Sequence, residues 1–120
     1  MSKKTHKKTR ATEFSDKVRK IIKERDGGCI FCEMGYHMEK AIGIDTKVFS
    51  IMHYIPRGQN GLGIEENGAV GCQYHHDMLD NGNEGRREEM LGMFREYLMQ
   101  MYDGWNEEDL KYDKWDFLKK

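Results

Sequence analysis

The sequence predicts a small α+β domain, with a short sheet in the middle of the chain and helices on both sides of it. Three observations lead to this prediction. Amphipathic stretches precede residue 26 and follow residue 84, and a run rich in β-branched and aromatic residues covers 47–55. With 120 residues the chain has the length of one domain, and a core of that size often needs a staple such as a metal.

The first predicted element is an N-terminal helix that runs to about Arg25. Thr12 or Ser15 can cap it, since a hydroxyl accepts hydrogen bonds from the first free amides of a helix. The glycines at 27–28 should end it. One face of this helix carries the apolar residues Phe14, Val18, Ile21 and Ile22.

The middle of the chain is predicted to form two strands and a loop. The run at 47–55 is the best strand candidate, and Pro56 should stop it because proline cannot donate to a sheet. Four glycines and two asparagines in 57–68 indicate a loop. A second short strand at 69–71 would lead directly into another helix.

The C-terminal part, residues 84–120, is predicted to be a helical extension of the same domain. Its apolar residues recur at steps of three and four, which is typical of an amphipathic helix, and they are Leu91, Phe94, Leu98 and Met101. Asp103 and Gly104 should end that helix. Asn106 would then cap a last short helix, with apolar residues Leu110, Trp115 and Leu118.

The composition favours a folded protein outside the membrane. Charged residues make up 34% of the chain and hydrophobic residues 38%, and five Phe and two Trp argue for a packed core. No apolar run approaches the ~20 residues that span a membrane, and the N-terminus lacks the apolar stretch of a signal peptide. We therefore expect a cytoplasmic protein.

Charge is unevenly distributed along the chain. Residues 1–11 are predicted to be a disordered tail, and residues 1–10 carry five positive charges without an acid. Because the whole chain has a net charge of −1, the remainder carries −6. A basic tail suits loose contact with phosphates, although a solvated tail without a function explains it equally well. The acidic remainder is unusual for a general DNA-binding protein.

Two ligand pairs of equal spacing predict a structural zinc site. Cys29-x-x-Cys32 is followed about forty residues later by Cys72-x-x-His75, a pattern typical of tetrahedral Cys₃His coordination. The second pair would lie at the start of a helix. A redox function of the C-x-x-C pair is the alternative, but it would leave the second pair without a role. His37 is an alternative fourth ligand at a less suitable spacing.

A further set of polar residues lies between and beside these pairs. An H-x-x-P-R motif begins at His53, Asn67 follows in the predicted loop, and His76 directly follows the last zinc ligand. The ordered string C-x-x-C … H-x-x-P-R … N … C-x-x-H-H resembles the zinc-containing HNH endonucleases, which are often found in phages and mobile elements. The resemblance spans roughly residues 19–80.

The resemblance implies a ββα-metal hairpin and helix in a treble-clef-like zinc frame, within a nuclease core at 12–83. It implies that His53 is the general base, that His76 binds a catalytic Mg²⁺, Mn²⁺ or Ni²⁺ ion, and that Asn67 holds the loop and so orients the base. DNA is then the partner, nicked or cut on both strands. A phage or prophage origin would place the protein in a bacterial host cell.

Phosphodiester hydrolysis needs the same residue types for its own chemical reasons. A histidine that is neutral near pH 7 can take a proton from water, and a cation can neutralise charge on the phosphate and the leaving oxygen. Arg57 is suited to contact a DNA phosphate, although a solvated surface arginine is an equal alternative.

One position departs from the family pattern. The family usually places an Asp or His directly before the base, as a second metal ligand, and here that residue is Met52. A thioether is a poor ligand for Mg²⁺ or Mn²⁺. Asp80, one helical turn after His76, is the best substitute, ahead of Asp77 and Asp45.

Met52 also motivates an alternative function, a catalytically decayed zinc module that binds DNA or a protein. In that case the C-terminal helices could dock a protein partner through their methionines and aromatic residues. The simpler expectation is that those helices complete the core.

Overall fold

The computed structural model describes residues 11–36 and 48–112. It confirms an α+β protein with a small sheet of two strands and helices around it. From residue 16 on, the α-helices and strands are α1 (Asp16–Asp26), α2 (Ile30–Glu33), β1 (Phe49–His53), β2 (Gly68–Cys72), α3 (Gln73–Asp80) and α4 (Arg87–Met101). In this part of the chain no helix is long and apolar enough to cross a membrane.

Helix α1 starts and ends close to the predicted positions. The hydroxyl of Ser15 accepts a hydrogen bond from the Val18 amide at 3.2 Å, which caps the N-terminus. Gly27 ends the helix with a left-handed φ of 69°, a conformation that costs glycine little. The predicted tail lies outside the described residues except for Ala11, whose carbonyl accepts a hydrogen bond from Gly63.

Strands β1 and β2 pair antiparallel, with Ile51 opposite Val70 and Met52 opposite Ala69. Because successive side chains point to opposite faces of a sheet, the two pairs belong to different clusters. Ile51 and Val70 pack with Phe14 and Ile22 of the N-terminal segment. Met52 and Ala69 belong to the larger core, which also includes Cys29, Ile30, Phe31, Cys72, Leu79, Met90, Phe94 and Leu98.

Both strands differ slightly in length from the prediction. Strand β1 ends at His53, two residues early, because the chain at Tyr54 and Ile55 turns away to bond with Asn67. Strand β2 gains one residue at each end and is buried along its whole length. The loop between the strands contains two 3₁₀ turns, Arg57–Gln59 and Glu65–Asn67.

The predicted apolar face of the long C-terminal helix was partly wrong. In α4 the buried residues are Met90, Phe94 and Leu98, while Leu91 is only partly buried and Met101 is 44% exposed. The buried residues recur every four positions and so form one row along the helix. The next position in that row is residue 102, where the helix has already ended.

The segment after α4 returns to the loop between the strands. Asn106 caps it as predicted, by accepting a hydrogen bond from the Glu108 amide, but the element is a 3₁₀ turn at Glu107–Leu110. The carbonyl of Leu110 accepts a hydrogen bond from Leu62 at 2.7 Å. The predicted apolar residues Trp115 and Leu118 lie outside the described residues.

A buried ion pair joins α1 to the sheet and to α4. Both carboxylate oxygens of Asp26 accept hydrogen bonds from Arg25, at 2.6 and 3.1 Å. They also accept one from the Val70 amide at 2.7 Å and one from the Tyr97 hydroxyl at 2.5 Å. The guanidinium of Arg25 further donates to the carbonyls of Glu65 and Gly68.

Replacing Asp26 by alanine should destabilise the protein, because it leaves the Arg25 charge buried without its partner. We expect the free energy of unfolding to fall by about 3 to 5 kcal/mol. Tyr97→Phe, which removes one hydrogen bond from the same carboxylate, should cost only about 1 kcal/mol. Denaturant titration of both variants measures the difference, and equal losses would contradict the role given to the ion pair.

Candidate functional site

The four predicted ligands Cys29, Cys32, Cys72 and His75 converge on one point. Each pair occupies the first turn of a helix, since Cys29 is the N-cap of α2 and Cys72 is the N-cap of α3. The helices therefore aim the side chains of residues about forty positions apart at the same place. All four ligand atoms lie within 4.8 Å of one another.

The distances between the ligand atoms match a metal-centred tetrahedron. Metal–sulfur bonds of about 2.3 Å and metal–nitrogen bonds of about 2.0 Å give edges of roughly 3.8 Å between sulfurs and 3.5 Å between sulfur and nitrogen. The Sγ atoms of Cys32 and Cys72 are 3.7 Å apart. His75 Nδ1 lies 3.6, 3.5 and 3.3 Å from the Sγ atoms of Cys29, Cys32 and Cys72. These residues are positioned to bind a metal ion.

Hydrogen bonds around the cluster orient its ligands. His75 Nε2 donates to the Tyr36 carbonyl at 2.6 Å, which leaves Nδ1 with its lone pair toward the cluster. The Cys32 and His75 amides donate to the sulfurs of Cys29 and Cys72, each at 3.4 Å. Burial raises the pKa of the Cys29 and Cys32 thiols, so a cation is needed to stabilise the thiolates there.

Four of the other predicted site residues line a cleft of about 640 Å³. The cleft lies between the segment that enters α1, the C-terminal end of β1, and α3. It brings together predicted residues that lie up to 27 positions apart in the sequence. The predicted residues in its wall are His53, Arg57, His76 and Asp80.

The imidazole of His53 is held by the segment before α1. Its Nε2 donates to the Thr12 carbonyl at 2.9 Å, and its ring stacks on Phe14 with 4.1 Å between the centroids. Nδ1 is therefore the nitrogen that can accept a proton. Burial lowers the pKa of His53 below its ordinary value, and the charges of Arg57 and Arg19 lower it further against the opposing Thr12 bond. The ring is therefore neutral near pH 7.

Asn67 lies behind the cleft, fully buried, and bonds to the loop between the strands. Its Oδ1 accepts a hydrogen bond from the Ile55 amide at 2.8 Å. Its Nδ2 donates to the carbonyls of Ile55 and Leu62 at 3.1 and 2.8 Å. The Asn67 carbonyl also accepts a bond from the Tyr54 amide at 2.8 Å, so Asn67 fixes the backbone directly after His53.

His76 and Asp80 lie one turn apart on α3. His76 Nδ1 is 2.5 Å from the Ser50 hydroxyl, and its Nε2 is 3.4 Å from a carboxylate oxygen of Asp80. When Nδ1 donates to Ser50, Nε2 is free to bind a cation together with Asp80. The side chain of Asp80 is 65% exposed, so it can meet a ligand in the cleft without losing a structural role.

Met52 is fully buried in the core. Its sulfur packs close to Gly71, where a Cβ atom would lie within 2.5 Å of it. Asp77 does not line the cleft and accepts a hydrogen bond from Gln73 instead. The alternative ligands Asp45 and His37 lie outside the described residues.

Arg57 extends from the loop into the wall of the cleft. Its side chain is 47% exposed, and one Nη atom is 3.5 Å from a carboxylate oxygen of Glu13, which is itself 55% exposed. An exposed pair at this distance contributes little to stability. The guanidinium can therefore exchange its partner for an anion that enters the cleft.

The cleft also includes residues that the sequence analysis missed. Asp16 and Arg19 reach it from α1, and Arg87 reaches it from the first residue of α4. Ser50 and the carbonyl of Thr12 orient the two histidines. Nothing in the local sequence pointed to these residues, because their positions at the cleft depend on contacts between distant segments.

No family model matches this chain, and neither the curated proteins nor the solved structures compared with it include a match. Support for a function therefore comes from the residues and geometry described above and from the motif resemblance.

Replacing Asn67 by aspartate should loosen the loop between the strands. The new carboxylate can still accept from Ile55, but it faces two carbonyls to which it cannot donate. We expect a loss of about 2 to 4 kcal/mol in the free energy of unfolding. Hydrogen exchange of the Tyr54 and Ile55 amides should become faster, and unchanged exchange would contradict the role of Asn67.

Proposed function

We propose that this protein is a metal-dependent HNH endonuclease that hydrolyses DNA phosphodiester bonds. The observation that carries the proposal is the shared cleft, with His53 at the end of β1 and His76 on α3 in its wall and Asn67 fixing the backbone between the strands. The order and spacing of these residues resemble the family motif, and the geometry gives each of them a separate task.

The proposed frame is a ββα-metal unit made of β1, β2 and α3, in a treble-clef-like setting with a structural zinc ion. Three thiolates and one imidazole are the ligand set typical of structural zinc, and the tetrahedral edge lengths support that assignment. His75 and His76 are neighbours on α3, so the zinc ion would also hold the helix that carries the catalytic ligands.

In this proposal His53 acts as the general base. Nε2 is engaged by the Thr12 carbonyl, and Nδ1 takes the proton from an attacking water. His76 Nε2 and a carboxylate oxygen of Asp80 would hold the catalytic Mg²⁺, Mn²⁺ or Ni²⁺ ion, with Ser50 orienting the imidazole. When bound, that cation neutralises charge on the phosphate and on the leaving 3′ oxygen. Arg57 would contact a neighbouring DNA phosphate.

A decayed module that binds DNA or a protein without cleavage is the second candidate. The full burial of Met52 favours it, because the described residues of β1 then supply no ligand in place of the family's Asp or His. In that case the zinc frame would be retained and the cleft would hold no catalytic cation.

The test is cleavage of supercoiled plasmid DNA by the purified full chain with Mg²⁺, Mn²⁺ or Ni²⁺. An enzyme should convert the plasmid to nicked or linear DNA, and EDTA should prevent this. A folded protein that contains one zinc ion and leaves the plasmid intact with all three cations would refute the enzyme and favour the binding module.

The pH dependence of the cleavage rate on the acid side should reflect the lowered pKa of His53. The protonated ring cannot accept a proton, so kcat/KM should rise as pH increases through the folded-state pKa and then level off. Because burial lowers that pKa, the midpoint should lie below 6.5. The rate is measured at saturating metal, so that metal binding does not move the limb. A midpoint above 6.5 would show that another group limits the rate.

A further inference from the structure

One side chain in the wall of the cleft has an unmet hydrogen-bonding requirement. Arg87, the first residue of α4, lines the cleft together with His53, His76 and Asp80. Its Nε is buried and has no hydrogen-bond partner within 11–36 and 48–112. A buried donor on a charged group is seldom left unpaired in a folded protein, so an unpaired one needs an explanation.

Arg25 shows how this protein satisfies an arginine that serves the fold. All three of its nitrogens donate, to the Asp26 carboxylate, to two carbonyls and to the Tyr102 hydroxyl. Among the described residues Arg87 has no comparable partner, although the acidic side chains of Glu13, Asp16 and Asp80 line the same cleft. Glu13 lies beside Arg57 and Asp80 beside His76 instead.

Helix stability does not explain Arg87 either. A positive side chain in the first turn of a helix opposes the helix dipole, which favours acidic residues there. Helix α4 has no side-chain cap at its N-terminus, and its first turn already contains Glu88 and Glu89. The arginine therefore occupies a position where the fold alone would favour another residue.

We propose that Arg87 binds a backbone phosphate of DNA in this cleft, an inference that rests on the proposed nuclease function. The Nε and one Nη of a guanidinium form a planar fork that fits two oxygens of a phosphate. A change of the Arg87 rotamer would bring the buried Nε to the surface of the cleft. There a phosphodiester would supply the acceptor that Nε lacks, beside the proposed base and the proposed metal ligands. Arg57 and Arg87 then contact the DNA from the loop and from α4.

The experiment measures binding of the full chain to a fluorescein-labelled DNA duplex without added divalent cation, over a range of salt concentrations. Arg87→Gln should weaken binding about tenfold and reduce the slope of log K against log salt by about 1. Arg87→Lys keeps the charge but loses the fork, and it should also bind more weakly. Arg95→Gln is the matched control on the same helix, since Arg95 is 53% exposed and pairs with Glu107.

Zinc content and thermal unfolding of every variant show whether the fold is intact. The proposal would be overturned if Arg87→Gln bound DNA with wild-type affinity. It would also be overturned if Arg95→Gln lost as much DNA affinity as Arg87→Gln. Wild-type affinity in Arg87→Lys would overturn the role of the fork. A further outcome is that inorganic phosphate raises the Tm of the wild type but not of Arg87→Gln, while the two proteins bind DNA equally well. Arg87 would then bind a free anion, and this result would also overturn the proposal.

Cleavage separates this inference from the proposed function. Binding that depends on Arg87 without cleavage would support the phosphate contact and refute the enzyme. Cleavage with unchanged KM and kcat in Arg87→Gln would support the enzyme and refute the phosphate contact. A wild-type protein that neither binds nor cleaves DNA would refute both.

Discussion

This protein should unfold when the Cys₃His cluster is kept free of metal. The four ligands lie on α2 and α3, and the cluster joins these helices to the larger core through Cys29 and Cys72. Structural zinc contributes on the order of 10 kcal/mol in small domains, which is comparable to the whole stability of a chain of this size. We expect chelation to abolish the cooperative thermal transition, and restored zinc to recover it.

Adjacent histidines on α3 offer a matched pair of variants for this prediction. His75→Ala removes a ligand, and it should lose both the metal and the folded structure. His76→Ala changes the next residue, which lies in the cleft, and it should retain one zinc ion per chain. Metal analysis and circular dichroism measure both. A folded, metal-free His75→Ala protein would show that the core suffices without the cluster.

Under the proposed nuclease function, replacement of His53 should remove cleavage while leaving the fold intact. A general base contributes about 10² to 10⁴ in rate, so His53→Ala should lose at least a hundredfold in kcat. His53→Gln is the sharper variant, because its amide can still donate to the Thr12 carbonyl but cannot accept a proton. We expect both variants to contain zinc and to unfold at a temperature close to that of the wild type.

Aspartates three residues apart on α3 test the proposed catalytic metal site separately from the base. Asp80→Asn should raise the concentration of Mg²⁺ or Mn²⁺ that cleavage requires, because it removes a carboxylate beside His76. Asp77→Asn alters a residue that bonds to Gln73 outside the cleft and should leave that requirement unchanged. Equal effects of the two substitutions would argue against a cation at His76 and Asp80.

The metal cluster and the cleft are connected through α3. His75 points to the cluster and His76 to the cleft, so one helical turn serves both sites. The N-cap of that turn is Cys72, which is also the last residue of β2. Loss of the cluster would therefore also separate His76 from His53, so unfolding and loss of the proposed cleavage should occur together.

Much of this protein could be predicted from the sequence because the deciding features are local. The C-x-x-C and C-x-x-H spacings indicated the metal ligands, since a two-residue gap places both side chains on one turn. Ser15 and Gly27 marked the ends of α1 through their own backbone and side-chain chemistry. These properties depend on neighbours within a few residues, and a single sequence contains them.

The tertiary structure decided the features that depend on distant residues. The partner of His53 is the carbonyl of Thr12, 41 residues earlier, and Arg87 reaches the same cleft from another helix. The buried row of α4 runs through Met90 rather than Leu91, because packing against the core selects one of several rows with similar spacing. Local spacing limits where a side chain can point, but only the packed fold determines what it meets there.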